Sequence, residues 1–354
     1  YGMMTRIFTL WGLLLSATSI CIFAAAAPDH SAVKASPRQG GWMKRHEQFN
    51  QKVKANQGNI DLIFVGDSIT QGWEGQGKDV WEKYYSHRKP LNLGIGGDRT
   101  QHVLWRLDNG NIEGIQPKVA VVMIGTNNSG NDRNSAGEIV DGIKAIVNKL
   151  RMKLPETKIL LLAVFPRGEM FNDQRGNILQ VNQVIRKLHD GEHVHFLDIG
   201  YRFIDKDGMI PRAIMPDFLH FSTPGYGVWA KAIENKLSSL LGDSPVNVPN
   251  AKINGAWTFS IGGPNGQVDS SMKLRKNGAR VYGNIAMGED REFDLLNGGI
   301  FANHMEFTIR RNRPQGGEAI YRFTGSLDGE RIEGEITAEM DGGKITQEWS
   351  ATKN

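Results

Sequence analysis

The sequence predicts an α/β domain with a doubly wound parallel sheet, followed by a separate antiparallel β module. Three observations carry this. From residue 41 to about 241, short Val/Ile/Leu runs alternate with amphipathic helical runs. Unbroken apolar runs are what strands covered on both faces look like. Beyond a stretch at 243–250 that holds Asp, Ser, two Pro and Asn, the apolar period changes to two. Asn-Gly and Asp-Gly dipeptides, which favour hairpin turns, then punctuate the chain.

Taken in order, the first 27 residues read as a targeting segment. Arg6 precedes an apolar stretch over 7–27 that ends in Ala24-Ala25-Ala26-Ala27. A charged start, an apolar middle and an Ala-x-Ala end fit a secretory signal peptide, which places the protein in the secreted or periplasmic space. The alternative is an uncleaved membrane anchor, since about 20 apolar residues also span a bilayer; after cleavage no stable membrane span is expected. Residues 28–40 are polar and read as a linker. Strands are expected at 62–65, 91–93, 119–124, 159–164 and 194–198. Five short strands with helical crossovers make a parallel sheet. Ile139, Ile143, Ile146, Val147 and Leu150 share one helical face. A last helix is expected over 223–241, with Pro224 in its first turn. The α/β domain thus covers 41–242, a second linker 243–250, and a β module 251–354. About eight strands are expected in the module, as a barrel or a sandwich, with turns marked by Asn277-Gly278, Asn297-Gly298, Asp328-Gly329 and Asp341-Gly342. Its aromatics Trp257, Phe259, Tyr282, Phe307, Tyr321, Phe323 and Trp349 fall at alternate positions, which favours core packing over a sugar-stacking face.

Composition sets limits. Of 354 residues, 40% are apolar, enough for ordinary cores. Lys plus Arg number 42 against 38 acidic residues. That small, unclustered excess does not mark a nucleic-acid surface. The single cysteine, Cys21, lies in the targeting segment. The remainder therefore has no disulfide, cysteine-rich metal site or thiol nucleophile. His189, His193 and His195 cluster in sequence, but zinc needs three or four convergent ligands, and no metal is expected.

The chemistry begins at Gly66-Asp67-Ser68. A strand that ends at Gly and turns at once into a helix lifts the next side chain to the carboxyl edge of the sheet, where open α/β sheets bind ligands. Ser68 then sits at the positive end of a helix dipole. It needs a base, and His220 in Pro216-Asp217-Phe218-Leu219-His220 is the candidate. Asp217 stands three residues before it, close enough to orient the imidazole. Thr70 occupies the position where a lipase elbow has its second Gly, so that elbow is not the best fit. Oxyanion donors are expected from the Ser68 N–H, from the backbone of the glycine-rich run 94–98, and from the Asn127 amide at the end of the third strand.

These residues resemble the four blocks of the SGNH (GDSL) hydrolases: Gly66-Asp67-Ser68, Gly97, Asn127 in Gly125-Thr126-Asn127-Asn128, and Asp217-Phe218-Leu219-His220. The likeness is greatest to the catalytic subunits of platelet-activating-factor acetylhydrolases, through the stretches 92–98, 102–107 and 166–169 as well. It spans about 60–242 and implies a flavodoxin-like three-layer sandwich with Ser68 as nucleophile, Gly97 and Asn127 completing the oxyanion hole, and Asp217 and His220 completing the triad. Bulky Ile69 and Leu219 would wall the acyl side and admit acetyl. Asp67, Asp98, Arg99 and Arg167 are candidate substrate contacts. The targeting segment and the β module depart from the subfamily.

The expected protein is therefore a secreted serine esterase that removes acetyl groups from small or polymeric esters, most plausibly acetylated carbohydrate, without a cofactor. A homodimer is compatible with this reading. The alternatives are a phospholipid acetylhydrolase or lysophospholipase, and a non-enzymatic glycan- or wall-binding protein on a degenerate hydrolase fold.

Overall fold

The computed structural model describes residues 29–130, 133–249, 251–263, 266–288, 291–312, 317–340 and 343–354. The targeting segment and the Asp341-Gly342 dipeptide lie outside them. Among the described residues no helix is long and apolar enough to cross a membrane.

Five parallel strands form the first sheet: β1 (Leu62–Gly66), β2 (Pro90–Gly94), β3 (Val119–Met123), β4 (Lys158–Leu162) and β5 (Val194–Leu197). Their order is β2-β1-β3-β4-β5, so the winding across the sheet reverses after β2 and the switch point lies between β1 and β3. β1 and β3 are buried along their whole length, as their unbroken apolar sequences require. Helices α1 (Gly41–Ala55), α4 (Thr100–Asp108), α5 (Ala136–Lys153) and α6 (Asp173–Ile185) belong to one side. There Ile139, Ile143, Ile146, Val147 and Leu150 of α5 meet Ile63, Val65, Ala120 and Val122 of the sheet. The short α2 (Ser68–Gln71), α3 (Lys78–Tyr84) and the last helix α7 (Thr223–Leu241) belong to the other side. Phe64, Val119 and Val121 pack there against Trp73, Tyr226 and Trp229. This is a three-layer α/β/α sandwich. Ser222 caps α7, accepting from the Gly225 N–H at 3.2 Å, and Pro224 lies in its first turn.

The second unit has nine antiparallel strands: β6 (Gly255–Gly263), β7 (Gly266–Asn277), β8 (Arg280–Met287), β9 (Glu292–Asp294), β10 (Leu296–Phe301), β11 (His304–Asn312), β12 (Glu318–Asp328), β13 (Arg331–Met340) and β14 (Gly343–Lys353). β10 also pairs with β8, closing eight of them into a barrel, with β9 beside β8. Trp257, Phe259, Phe307, Phe323 and Trp349 fill the barrel core. Tyr321 is partly buried against it, and Tyr282 lies outside.

Two sequence expectations need correction here. Asn297-Gly298 is not a hairpin turn. It sits inside β10, where Asn297 takes φ 54° and the register to β11 shifts, so the dipeptide forms a bulge. Neither polar stretch read as a linker hangs free. In the first, Ala32 is fully buried and its carbonyl accepts from Thr100 Oγ1 at 2.7 Å. In the second, Asp243 pairs with Arg88 at 2.8 Å, and the Val246 N–H reaches Glu234 Oε1 at 2.6 Å. Polar composition leaves a segment free to be pinned by hydrogen bonds, and both are.

The barrel is docked on the α/β unit through β10. Phe301 lies flat on α7, where a Cβ at Gly227 would collide with its ring, and contacts Tyr84 with ring centroids 6.2 Å apart. The apolar cluster of the α/β unit takes in Phe301 and Ala302 from the barrel.

Candidate active site

Gly66 ends β1 because nothing larger fits. A Cβ there would collide with Thr70 Oγ1 and the Met123 carbonyl. This also explains Thr70, whose hydroxyl occupies the space above Gly66. Asp67 caps α2, its carboxylate accepting from the Ile69 N–H at 3.0 Å. Ser68 follows as the first residue of that helix, at the carboxyl edge of the sheet.

Far along the chain, the loop before α7 brings His220 to the same place. His220 Nε2 lies 3.0 Å from Ser68 Oγ, and His220 Nδ1 lies 2.7 Å from Asp217 Oδ2. An ionised carboxylate only accepts, so Nδ1 carries the proton and Nε2 faces the hydroxyl as acceptor. The other Asp217 oxygen accepts from the backbone N–H of His220 at 2.7 Å and of Leu219 at 3.1 Å. Burial pushes the Asp217 carboxyl up, but the bonds from the His220 ring and from these two N–H groups outweigh it and hold the carboxyl below its ordinary value. The turn that permits this puts Phe218 in the left-handed region at φ 61°, a strained conformation for a bulky residue. It is stabilised by the Arg212 guanidinium, 4.2 Å from the Phe218 ring centroid.

The three expected oxyanion donors are the N–H groups of Ser68 and Gly97 and the amide of Asn127. Among the described residues, no hydrogen bond uses the N–H of Ser68 or of Gly97. Gly97 holds φ 75°, with the Arg38 guanidinium against its Cα, and Arg38 Nη1 donates to the Gly96 carbonyl at 2.8 Å. Asn127 Nδ2 donates to the Asp98 carbonyl at 2.9 Å, and its next acceptor, Asp67 Oδ2, is 3.4 Å away. One of its two N–H groups is therefore only weakly engaged.

The four expected substrate contacts divide. Asp67 and Asp98 are both 0% exposed and do not meet a substrate. Asp67 is spent on its cap. Asp98 accepts from Trp42 Nε1 at 2.5 Å and from Arg106 Nε at 2.9 Å. Burial raises both carboxyls, Asp67 to about 7. Arg99 is half-buried at the start of α4. Arg167 donates to the carbonyl and hydroxyl of Thr126, each at 3.3 Å. Burial lowers its pKa, while the nearby Asp67 carboxylate pulls it back up. The acyl-wall pair also divides: Ile69 is 1% exposed, a core residue beside Trp73 and Tyr226, whereas Leu219 is half-buried. The Ile69 side chain is turned inward, and Tyr226 Oη donates to its backbone carbonyl at 2.7 Å.

Sequence reasoning missed the supports under the site. Arg106 is fully buried, and besides Asp98 it reaches Asn111 Oδ1 at 2.7 Å and the Gly66 carbonyl at 3.3 Å. An Arg in the middle of an apolar helical run was the available signal. Arg38 sat in the presumed linker, and Arg133, which donates to the Asn127 carbonyl at 2.6 Å, has no sequence signal at all. A cavity of about 660 Å³ between α7 and the barrel is lined by none of these residues. Asp217 and His220 line a smaller cleft of about 460 Å³.

Comparison with known proteins adds the following. Residues 64–228 match the model of the GDSL-like Lipase/Acylhydrolase family. The platelet-activating factor acetylhydrolase IB subunit alpha2 of Rattus norvegicus is 40% identical over 205 residues, covering 58% of this chain and 86% of that protein. The alpha1 subunit of Homo sapiens is 38% identical over 219 residues, covering 60% and 92%. Among solved structures, a putative platelet activating factor from Streptococcus pneumonia superposes with a TM-score of 0.46 at 24% identity, over 55% of this chain and 94% of that one.

Proposed function

This chain belongs to the GDSL-like lipase/acylhydrolase family and is an ester hydrolase, and we propose that it removes acetyl groups through a Ser68–His220–Asp217 triad, acting outside the cytoplasm on acetylated carbohydrate. The contact that carries the reading is the 3.0 Å approach of His220 Nε2 to Ser68 Oγ, with Asp217 2.7 Å behind the ring.

In this reading Ser68 Oγ attacks the ester carbonyl carbon as its proton passes to His220 Nε2. The tetrahedral oxyanion takes hydrogen bonds from the Ser68 and Gly97 N–H groups and from the loosely held N–H of Asn127. His220 then gives its proton to the departing alcohol, which leaves acetyl on Ser68. Water attacks that acyl-enzyme with His220 again taking the proton, and acetate departs. Asp217 stays ionised throughout and stabilises the imidazolium. No step needs a cofactor.

Export rests on the charged, apolar and Ala-rich pattern over 6–27. The carbohydrate assignment rests on export together with the added β unit. The relatives' names point to a phospholipid ester as the second reading, so a short-chain phospholipid belongs in the same assay. The direct test is p-nitrophenyl acetate hydrolysis by the wild type and by Ser68→Ala. The wild type turns over and the variant does not; equal rates would sink the proposal. Octanoate esters should be turned over more slowly than acetate esters.

A further inference from the structure

The cleft at His220 has two walls, and only one belongs to the α/β unit. Asp217 and His220 lie on that wall; His304, Glu306, Arg322 and Thr324 of the barrel form the other. The strand register explains why these four come together. Glu306 pairs with Thr324, and Thr308 with Arg322, across β11 and β12. Met305, Phe307, Ile309 and Phe323 alternate with them and fill the barrel core. The polar set therefore shares the outer face, the one turned toward the loop that holds Asp217.

The Glu306 side chain is half-buried, yet among the described residues it makes no hydrogen bond and no ion pair within 4.0 Å; Arg322 likewise has neither. Burial lifts the Glu306 carboxyl above its ordinary value, with Arg322 nearby pulling it down. A half-buried carboxylate with a guanidinium nearby, both lining the cleft, offers a ligand an acceptor and several donors.

The cleft also continues. A second cavity of about 260 Å³ runs along the barrel past Arg212, Asn297, Thr308 and Arg310. It shares Pro216, Glu306 and Arg322 with the first. The two form one groove that begins at His220 and leads outward over β11 and β12. Its side chains are mostly charged, amide or hydroxyl groups. Leu296, Ile309 and Ile320 lie among them. A sugar unit has hydroxyls for the polar groups and apolar C–H faces for these side chains.

We propose that β11 and β12 form the binding subsites for an oligosaccharide on the alcohol side of the scissile ester, with Glu306 and Arg322 hydrogen-bonding the sugar units beyond the acylated one. This rests on the esterase reading for the position of the bond cleaved, but the binding itself does not.

The experiment has two arms, both on the full chain. In the first, kcat/KM is measured on an acetylated monosaccharide, on acetylated tetrasaccharides and on p-nitrophenyl acetate, for the wild type and for the Glu306→Gln/Arg322→Ala double variant. The wild-type preference for tetrasaccharide over p-nitrophenyl acetate should fall by about tenfold in the double variant, the worth of two lost hydrogen bonds. A preference that survives the double substitution, or a wild type indifferent to chain length, would overturn the inference. So would a variant that loses short-chain phospholipid turnover instead. In the second arm, calorimetry measures binding of unacetylated tetrasaccharides to Ser68→Ala with and without the double substitution. Binding lost with the pair supports the subsites even if the wild type hydrolyses nothing, and no binding in either background refutes them. Should the double variant not fold, Gln76→Trp, at an exposed loop position facing the same cleft, blocks the groove from the opposite wall.

Discussion

Asp67 caps α2 with a carboxylate that has been removed from water. Desolvation raises its pKa from 3.8 to about 7, against the pull of the Ile69 N–H. The native protein therefore holds this proton where the unfolded chain has already released it. The stabilisation this gives is fully present below the unfolded pKa and is lost as pH rises through the folded one, between about 4 and 7. Asn keeps the acceptor for the cap and never ionises. Asp67→Asn should thus gain stability relative to the wild type as pH rises. Thermal melts at about pH 4 and about pH 8 check this; a Tm difference that is the same at both would contradict it. Ser68, Asp217 and His220 could be picked out in the sequence because each sits beside a break in pattern: a strand ending at Gly, or a polar turn before a helix. Arg38 could not, and for Arg106 the only signal was an Arg inside an apolar helical run. Their roles depend on Asp98 and Gly96, which only the folded chain brings within reach.

At the scale of elements, the five parallel strands and α7 were legible because periodicity reports burial directly. β1 and β3 are apolar throughout because both faces are covered. The barrel strands alternate because one face meets the core. Closure was not legible, since it depends on a pairing of β10 with β8 that no local pattern encodes. The bulge at Asn297 hid for the same reason: Asn-Gly suits a tight turn and a left-handed bulge residue equally well. Helix α7 offers a clean test of local design. Ser222 Oγ accepts from the Gly225 N–H and donates to the Ala213 carbonyl at 2.6 Å, so it ties the cap to the loop before it. Ser222→Ala should lower stability by about 1 kcal/mol, as N-cap loss generally does. Urea denaturation would show it as a lower midpoint with an unchanged slope. Because this cap starts two residues after His220, a loss of activity beyond the loss of folded protein would show that the cap also positions the base.

For the molecule as a whole, the β unit is more than an appended module. Its β10 sends Phe301 into the apolar cluster around α7, and its β11 and β12 stand beside the cleft that holds His220. Phe301 is 6% exposed, and truncating a buried Phe costs about 3–5 kcal/mol. Phe301→Ala should loosen the barrel from the α/β unit. Calorimetry would then resolve two unfolding transitions at lower temperature where the wild type shows greater overlap. A variant that melts as the wild type does would mean that the two units are held together elsewhere. Chain order concealed this relation, because His220 and Glu306 are widely separated in sequence and line one cleft only once both units are folded and docked.

The most direct test of the central claim is covalent capture of the nucleophile. A fluorophosphonate that mimics the tetrahedral intermediate should modify the wild type once, at Ser68, as read by peptide mass. Ser68→Ala should not be modified, and His220→Ala should react far more slowly. Modification at another residue, or none at all in folded protein that still hydrolyses p-nitrophenyl acetate, would contradict the account.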